Sequence, residues 1–175
     1  MRYHDLAKIL LDCVCQCLEE KQGACPSRAC VASGEEVAIE NCCAGNDQGQ
    51  LTVNIARIFP SASFPTPALG IPNNCDVPLE VVTYHVQLAR CHPSGQGRTP
   101  PTCAQLEAAA LRVHDDMLLM RAGIKKCMKT NGQMFALLGT KPRWTFGEHV
   151  AIGPQGGCVG SLMQILVGFP NCEDC

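Results

Sequence analysis

Two helical segments, separated by strand-like segments, constrain the fold of this chain more than any other feature of its sequence. Near the N-terminus, apolar side chains recur at the i, i+3, i+4 spacing of an amphipathic helix. These residues are Leu6, Ile9, Leu10, Cys13, Val14, Cys17 and Leu18. The second segment opens with a Thr-x-x-Gln capping box at Thr102 and Gln105, and it stops at Asn131-Gly132. Each helix therefore has one face to bury.

Strand-like alternation occupies the stretch between the helices. Residues 35–43 and the alternating Leu51, Val53 and Ile55 predict a hairpin, and residues 79–91 predict a third strand. The apolar face of that third strand carries Val82, Tyr84, Val86 and Leu88, and its polar face carries Thr83, His85 and Gln87. We expect the apolar face to be buried and the polar face to be more exposed to solvent.

Three more strands are predicted after the second helix, over residues 134–138, 143–152 and 158–169. The predicted order is αβββαβββ, which is typical of the α+β class: a mixed, largely antiparallel sheet with two helices packed on it. A length of 175 residues suits one domain over residues 1–175, ending in an irregular tail at 170–175.

Charge and composition favour protein partners. The formal net charge is −2, so the chain has no basic field that would recruit nucleic acid or an anionic membrane, and we expect no sequence-specific binding of nucleic acid. Only 17% of residues are charged and 46% are hydrophobic, which favours apolar subunit contacts and a homo-oligomer.

The sequence predicts neither a signal peptide nor a membrane span. Asp5, Lys8 and Asp12 interrupt the apolar stretch at the N-terminus, and no segment reaches about 18 uncharged apolar residues. We therefore expect synthesis in a cytoplasm.

Fourteen cysteines need an explanation, because a cytoplasm keeps thiols reduced. They could be buried thiols, zinc ligands, or disulfides that close after the protein leaves the cell. Cys91 and Cys103 bracket a short loop and are the first predicted disulfide, and Cys25 with Cys30 is the second. Cys13 and Cys17 lie on the helical core stripe, so we predict that they stay buried thiols.

A zinc or thiol-redox site is the alternative use of these cysteines. In a helix, Cys15 points away from Cys13 and Cys17, so these three cysteines cannot coordinate one metal ion together. Cys172 and Cys175 form a C-x-x-C motif at the chain end without a second matching pair. A composite zinc site remains open, whereas a thioredoxin-type role would place such a motif at a helix start.

The sequence predicts no enzyme, no cofactor and no metal ligands. Residues 153–160 are Gly-rich but lack the Lys-Ser/Thr pair of a phosphate loop, so they predict a hairpin turn. In the run His114-Asp115-Asp116, successive side chains point in directions roughly 100° apart around the helix, so they cannot converge on one ion. We therefore predict that this run forms a solvent-exposed face. His85 is interpreted as a surface histidine, and Glu148 and His149 point to opposite sides of a strand.

Two segments have compositions that keep them out of a sheet core. Residues 59–78 are rich in proline and predict a projecting loop, and residues 153–157 predict a turn. Loops of this kind are natural contact sites for neighbouring subunits. The candidate interface residues are Phe59, Pro60, Phe64, Pro65, Pro67, Leu69, Ile71, Gly153, Pro154, Gln155 and Gly156.

Several short motifs, in a fixed order, resemble the small neck proteins of long-tailed phages, particularly those that infect actinobacteria. The motifs are Glu40-Asn41-Cys42-Cys43-Ala44-Gly45, Leu51-Thr52-Val53, Arg57-Ile58-Phe59-Pro60, residues 81–91 ending in Arg90-Cys91, and residues 153–160. Together they span most of residues 37–168, and their order and spacing carry the resemblance. The cysteines near both ends of the chain lie outside it.

Within this group the chain is most similar to the tail terminators. The resemblance implies a non-enzymatic α+β protein without a cofactor, which assembles as a ring, usually a hexamer, on the finished tail tube. Its partners would be the tail tube protein below and a head-completion or stopper protein above, and its place would be the neck of the virion. A stopper that retains DNA in the head is the alternative within structural proteins.

Overall fold

A computed structural model gives the fold and describes residues 2–39, 42–43, 49–69, 79–93, 99–139 and 141–170. The elements are α1 (Arg2–Gln22), β1 (Arg28–Ala32), β2 (Gly49–Ser61), β3 (Leu79–Cys91), α2 (Cys103–Thr130), α3 (Gly132–Leu138), β4 (Arg143–Gln155) and β5 (Cys158–Pro170). The predicted capping box is present, because Thr102 and Gln105 satisfy each other's backbone N–H groups.

The described strands form one mixed sheet in the order β1-β2-β3-β5-β4. β1 lies parallel to β2, and the pairs β2–β3, β3–β5 and β5–β4 are antiparallel. β3 is the central strand and β4 is an edge strand. The predicted strand over residues 79–91 and the predicted hairpin between residues 143–152 and 158–169 are both present.

The helices pack on one face of this sheet and enclose the main core. α1 buries the apolar stripe predicted for it, and α2 contributes Met120, Ile124 and Met128. From the sheet, β3 contributes its alternating apolar side chains, including Tyr84, whose hydroxyl donates to the carbonyl oxygen of Tyr3 at 3.0 Å. Among the described helices, none is long and apolar enough to cross a membrane.

Residues 134–138 form part of the helix α3, so the predicted strand there is wrong. The side-chain oxygen of Asn131 accepts hydrogen bonds from the backbone N–H groups of Gln133 and Met134 at 2.9 and 3.1 Å. Asn131 thus ends α2, as predicted, and also begins α3. The described order is αβββααββ, so the predicted order αβββαβββ and the count of two helices are corrected to three helices and five strands.

The first strand also lies earlier than the sequence pattern indicates. β1 covers Arg28–Ala32, whereas residues 35–39 and 42–43 contain no strand. Because β1 and β2 are parallel, the predicted hairpin between the first two strands is wrong. A hairpin requires antiparallel strands, and here the chain crosses the sheet before β2 begins.

Candidate functional site

The edge strand β4 is the longest exposed backbone ladder of the described structure. It has thirteen residues, most of them exposed, and no described strand pairs with its outer edge. The opposite edge of the sheet is the short strand β1, with five residues, followed by the part of β2 beyond Asn54, which β1 does not reach. A long uncovered edge presents unpaired N–H and C=O groups, which another chain can pair with. The sheet therefore has two unequal edges, one of them suited to pairing.

The outer face of α2 adds apolar surface. Its buried residues begin only at Val113, so its first ten residues extend beyond the packed part of the helix. Leu111 and Leu118 are 62% and 67% exposed, and they stand seven residues apart, on one side of the helix. Leu106 is exposed as well. Exposed leucines at this spacing are typical of a surface that contacts another protein.

A cation–π contact joins α2 to β4. The guanidinium carbon of Arg121 lies 4.3 Å from the ring centroid of Phe146, and Phe146 stacks edge-on against Trp144 at 5.2 Å. Leu118 lies one turn before Arg121 on α2, so it shares the side of the helix that borders β4. We define the lateral face as β4 together with the exposed leucines Leu111 and Leu118, which share one side of α2.

The polar face of the sheet is covered, which the sequence did not indicate. Residues 34–39, here called the strap, cross it. Asn54 donates to the carbonyl oxygens of Gly34 and Glu35 at 2.7 and 3.0 Å. Gln50 and Gln87 donate to the carbonyl oxygens of Ala38 and Val37, at 3.0 and 3.3 Å. These hydrogen bonds satisfy backbone groups that no strand pairs.

Beside the strap lies a cleft of about 330 Å³, lined by Glu35, Arg57, His85 and Gln164 among others. The ring atom Nδ1 of His85 is buried there without a hydrogen-bond partner, and burial lowers the pKa of this histidine. The interpretation of His85 as a surface histidine is thus corrected. The opposite charges of Glu35 and Arg57 do not define one class of ligand, so the cleft indicates no specific chemistry.

The candidate interface residues fall in different places. Phe59 and Pro60 belong to β2, and the ring of Phe64 lies against Gly168 of β5. Pro65 and Pro67 line the cleft, Leu69 is fully exposed, and Ile71 lies outside the described residues.

The second candidate segment continues a strand. Gly153, Pro154 and Gln155 belong to β4, so the turn itself is only Gly156 and Gly157. The predicted tail at 170–175 is described only at Pro170.

Four disulfides are present among the described residues, and neither predicted pair is among them. They join Cys13 to Cys127, Cys15 to Cys25, Cys42 to Cys158, and Cys43 to Cys91. The predicted partners Cys103 and Cys30 are exposed free thiols. Spacing along the chain suggested short loops, but the distances in space favour partners from other elements, with Cα atoms 4.6 Å apart for Cys43 and Cys91.

The two cysteines of the α1 core stripe behave differently. Cys13 is bonded to Cys127, so its prediction as a free buried thiol is wrong. Cys17 is a buried free thiol as predicted, and burial raises its pKa. Cys172 and Cys175 lie outside the described residues. With the disulfides closed, no group of three or more His, Cys, Asp or Glu side chains in the described ranges could hold a metal ion.

No protein-family model matches the chain, and no curated protein matches its sequence. The resemblance to phage neck proteins therefore stays a prediction, and the lateral face is the structural feature that bears most directly on function.

Proposed function

We propose that this chain is a non-enzymatic structural subunit that forms a ring, and that it acts as a tail terminator in the neck of a long-tailed phage. The single observation that supports assembly most strongly is the uncovered edge strand β4, thirteen residues long, beside the exposed leucines of α2. Soluble monomers usually cover, shorten or bend such an edge, and two irregularities bend β4, between Phe146 and His149 and between Ile152 and Gln155. A subunit contact would bury both the ladder and the apolar helix face.

The two unlike sheet edges support a ring. β4 is long and β1 is short, so the lateral face of one subunit has no identical partner surface at the other edge. Contacts between unlike surfaces are head-to-tail, and they generate a closed ring when the rotation between subunits closes. Six copies is the number that the resemblance implies.

The terminator role adds partners above and below the ring. The tail tube protein and a head-completion or stopper protein would contact surfaces other than the lateral face. The exposed Leu69 and the turn at Gly156 and Gly157 are candidates for these contacts. The virion neck would be the place of action after synthesis in the host cytoplasm.

Native mass spectrometry of the purified chain, alone and on purified tail tubes, tests the ring. We expect a closed oligomer for the wild type and a monomer with unchanged circular dichroism for Leu111→Lys combined with Leu118→Lys. Leu106→Lys is the matched control, because Leu106 is an exposed leucine of the same helix that lies about 140° around it from Leu111. A chain that stays monomeric even on tail tubes contradicts the proposal.

Deletion of the gene in a phage that encodes the chain separates the two neck roles. A terminator stops tube growth, so its loss is expected to give overlong or unattached tail tubes, and shortening residues 62–78, which follow β2, with the fold left intact should do the same. A stopper retains DNA, so its loss would give tails of normal length beside emptied heads. Normal infectious virions would contradict both roles.

A further inference from the structure

Four cysteines meet at one end of the sheet, and together they are called the cysteine cluster: Cys42, Cys43, Cys91 and Cys158. Cys91 and Cys158 are direct cross-strand partners at the adjoining ends of β3 and β5. The neighbours Cys42 and Cys43 sit opposite them, each bonded to one member of that pair. Two disulfides thus share one small volume.

The sulfur atoms of the cluster converge. Sγ of Cys42 and Sγ of Cys43 are 3.8 Å apart, and they lie 3.6 and 3.4 Å from the carbonyl oxygen of Gly157. In a tetrahedral site with Zn–S bonds of about 2.3 Å, neighbouring sulfurs are about 3.8 Å apart. The unbonded separation in the cluster already equals this value.

One side of the cysteine cluster is buried, and on the other side Cys43 is exposed and Cys91 is partly buried. Cys42 and Cys158 are buried with Ala89 in a small apolar group, and Ile39 packs against it. The carbonyl oxygen of Gly157 accepts the backbone N–H of His92 at 2.8 Å, which fixes the turn that faces the sulfurs. A site held by a strand pair and a fixed turn is preorganised for a tetrahedral ion.

We propose that the reduced cysteine cluster is a four-thiolate site for Zn²⁺, which the two disulfides replace when the protein is oxidised. Four thiolates in tetrahedral arrangement are a common structural zinc set. In a reducing cytoplasm the cluster holds the metal, and in an oxidising medium it holds the same segments together covalently. The inference concerns the cluster alone and does not depend on the proposed function.

The exchange balances with a small-molecule disulfide as the oxidant. The zinc site with four thiolates carries a charge of −2, and two molecules of the oxidant accept four electrons from its sulfurs. Two protein S–S bonds form, the two S–S bonds of the oxidant break, and Zn²⁺ and four small-molecule thiolates leave. These thiolates then take up protons from water according to pH.

The other described cysteines do not offer such a set. Cys13 and Cys17 lie near Cys127 where α1 meets α2, but Cys15 turns to the far side of α1 and pairs with Cys25. Only three sulfurs therefore approach one another there, one of them a buried thiol between packed helices. This region supplies the matched control.

The first test uses the full wild-type chain after reduction with a phosphine. We expect it to bind one Co²⁺ with the visible spectrum of a tetrahedral four-thiolate site, and Zn²⁺ to displace that ion. Zn²⁺ should also slow the alkylation of Cys42, Cys43, Cys91 and Cys158 by about tenfold, as read by peptide mass spectrometry, without protecting the exposed Cys30 and Cys103. Equal alkylation of the cluster with and without Zn²⁺ would overturn the proposal.

Paired substitutions locate the site. Cys91→Ser with Cys158→Ser is expected to abolish the cobalt spectrum, whereas Cys13→Ser with Cys127→Ser is expected to keep it. A spectrum lost in both variants, or kept in both, overturns the assignment to the cluster. If the first variant does not fold, the wild-type alkylation pattern decides. Addition of oxidised glutathione to the zinc-loaded chain should release one Zn²⁺ as two disulfides close, and retention of the metal would overturn the exchange.

Discussion

At the scale of single residues, a buried ion pair joins three elements of the fold. Arg90 of β3 and Asp116 of α2 are 3% and 2% exposed, and the guanidinium donates to both carboxylate oxygens at 2.8 and 3.1 Å. Gln22 of α1 bridges them, because it accepts from Arg90 and donates to Asp116. The prediction of a solvated face for the run His114-Asp115-Asp116 is thus wrong for Asp116. A buried charge needs a partner such as Arg90, which lies far away in the sequence.

Asp116→Asn tests the cost of breaking this pair. Removal of the carboxylate leaves the charge of Arg90 buried without compensation, so we expect the free energy of unfolding to fall by about 3–5 kcal/mol. Glu20→Gln is the control, because Glu20 and Lys126 form an exposed ion pair between α1 and α2. That control should cost at most about 1 kcal/mol. Similar losses for the two variants, measured by urea unfolding, would contradict the role given to the buried pair.

Two partly buried histidines make the stability depend on pH. Burial is the main cause that lowers the pKa of His85 and of His149 from the ordinary value of 6.5, and Arg121 lowers that of His149 further. The unfolded chain therefore binds more protons than the folded chain between the lowered pKa values and 6.5. The free energy of unfolding therefore rises as the pH rises through this window, and it decreases as the pH falls through the same window.

Replacement of both histidines by glutamine should reduce this dependence. We expect the double variant to lose less stability than the wild type when the pH falls from about 7.5 to about 5.5, because two groups no longer take up protons on unfolding. His114→Gln on the exposed side of α2 is the control. Urea unfolding at both pH values is the measurement. If the double variant loses as much free energy of unfolding between the two pH values as the wild type, the histidines do not set the pH dependence and the prediction is wrong.

At the scale of elements, the contact between α1 and α2 depends on Gly123. A Cβ atom at this position would lie 2.8 Å from the carbonyl oxygen of Cys13 and 3.0 Å from Cβ of Cys17. Both neighbours belong to the facing helix, and the carbonyl oxygen is backbone. The two helices can therefore approach this closely only because the residue has no side chain.

Gly123→Ala is expected to lower the free energy of unfolding by about 1–3 kcal/mol through overpacking. Gly132→Ala in α3 is the matched control, since a Cβ atom there would have nothing within 4 Å. The control should change stability by at most about 1 kcal/mol, in the favourable direction that helix propensity gives. Thermal unfolding of both variants decides, and a Gly123→Ala protein as stable as the control would contradict the close contact.

The elements also show where sequence reasoning succeeds. The stripe on α1, the capping box at Thr102 and the alternation in β3 are local patterns, and each predicted its element correctly. The strand predicted in place of α3 rested on a short apolar run, which does not distinguish helix from strand. Asn131 ends α2 and also caps the start of α3. The sequence pattern indicated only the end of α2.

Features of the fold that depend on distant residues were not predictable in this way. The five residues of β1 show no alternation, and sixteen residues, which include the strap, separate them from their parallel partner β2. The strap itself is fixed by the side chains of Asn54, Gln50 and Gln87, which lie in other elements. The disulfide partners and the lateral face likewise arise only when helices and strands have taken their places.

At the scale of the whole molecule, the disulfides tie together both layers. Cys13 and Cys127 join α1 to α2 over the sheet, and the cysteine cluster joins the segment before β2 to the ends of β3 and β5. α2 borders the edge strand β4, so a link that holds α2 also holds the lateral face in one arrangement. Preorganisation of this kind lowers the entropy lost when subunits assemble.

The length of the loop that each disulfide closes should determine how much it stabilises the oxidised protein. Cys13 and Cys127 are 114 residues apart in sequence, whereas Cys15 and Cys25 are 10 residues apart. Closing a long loop removes more entropy from the unfolded chain, so we expect losses of about 4–5 kcal/mol and about 3 kcal/mol when each pair is replaced by alanine. The bond between Cys42 and Cys158 remains in both variants and shortens the longer loop, which keeps the first value near the lower end of its range. Urea unfolding without reductant measures the difference, and a larger loss for the pair that closes the short loop would contradict this account.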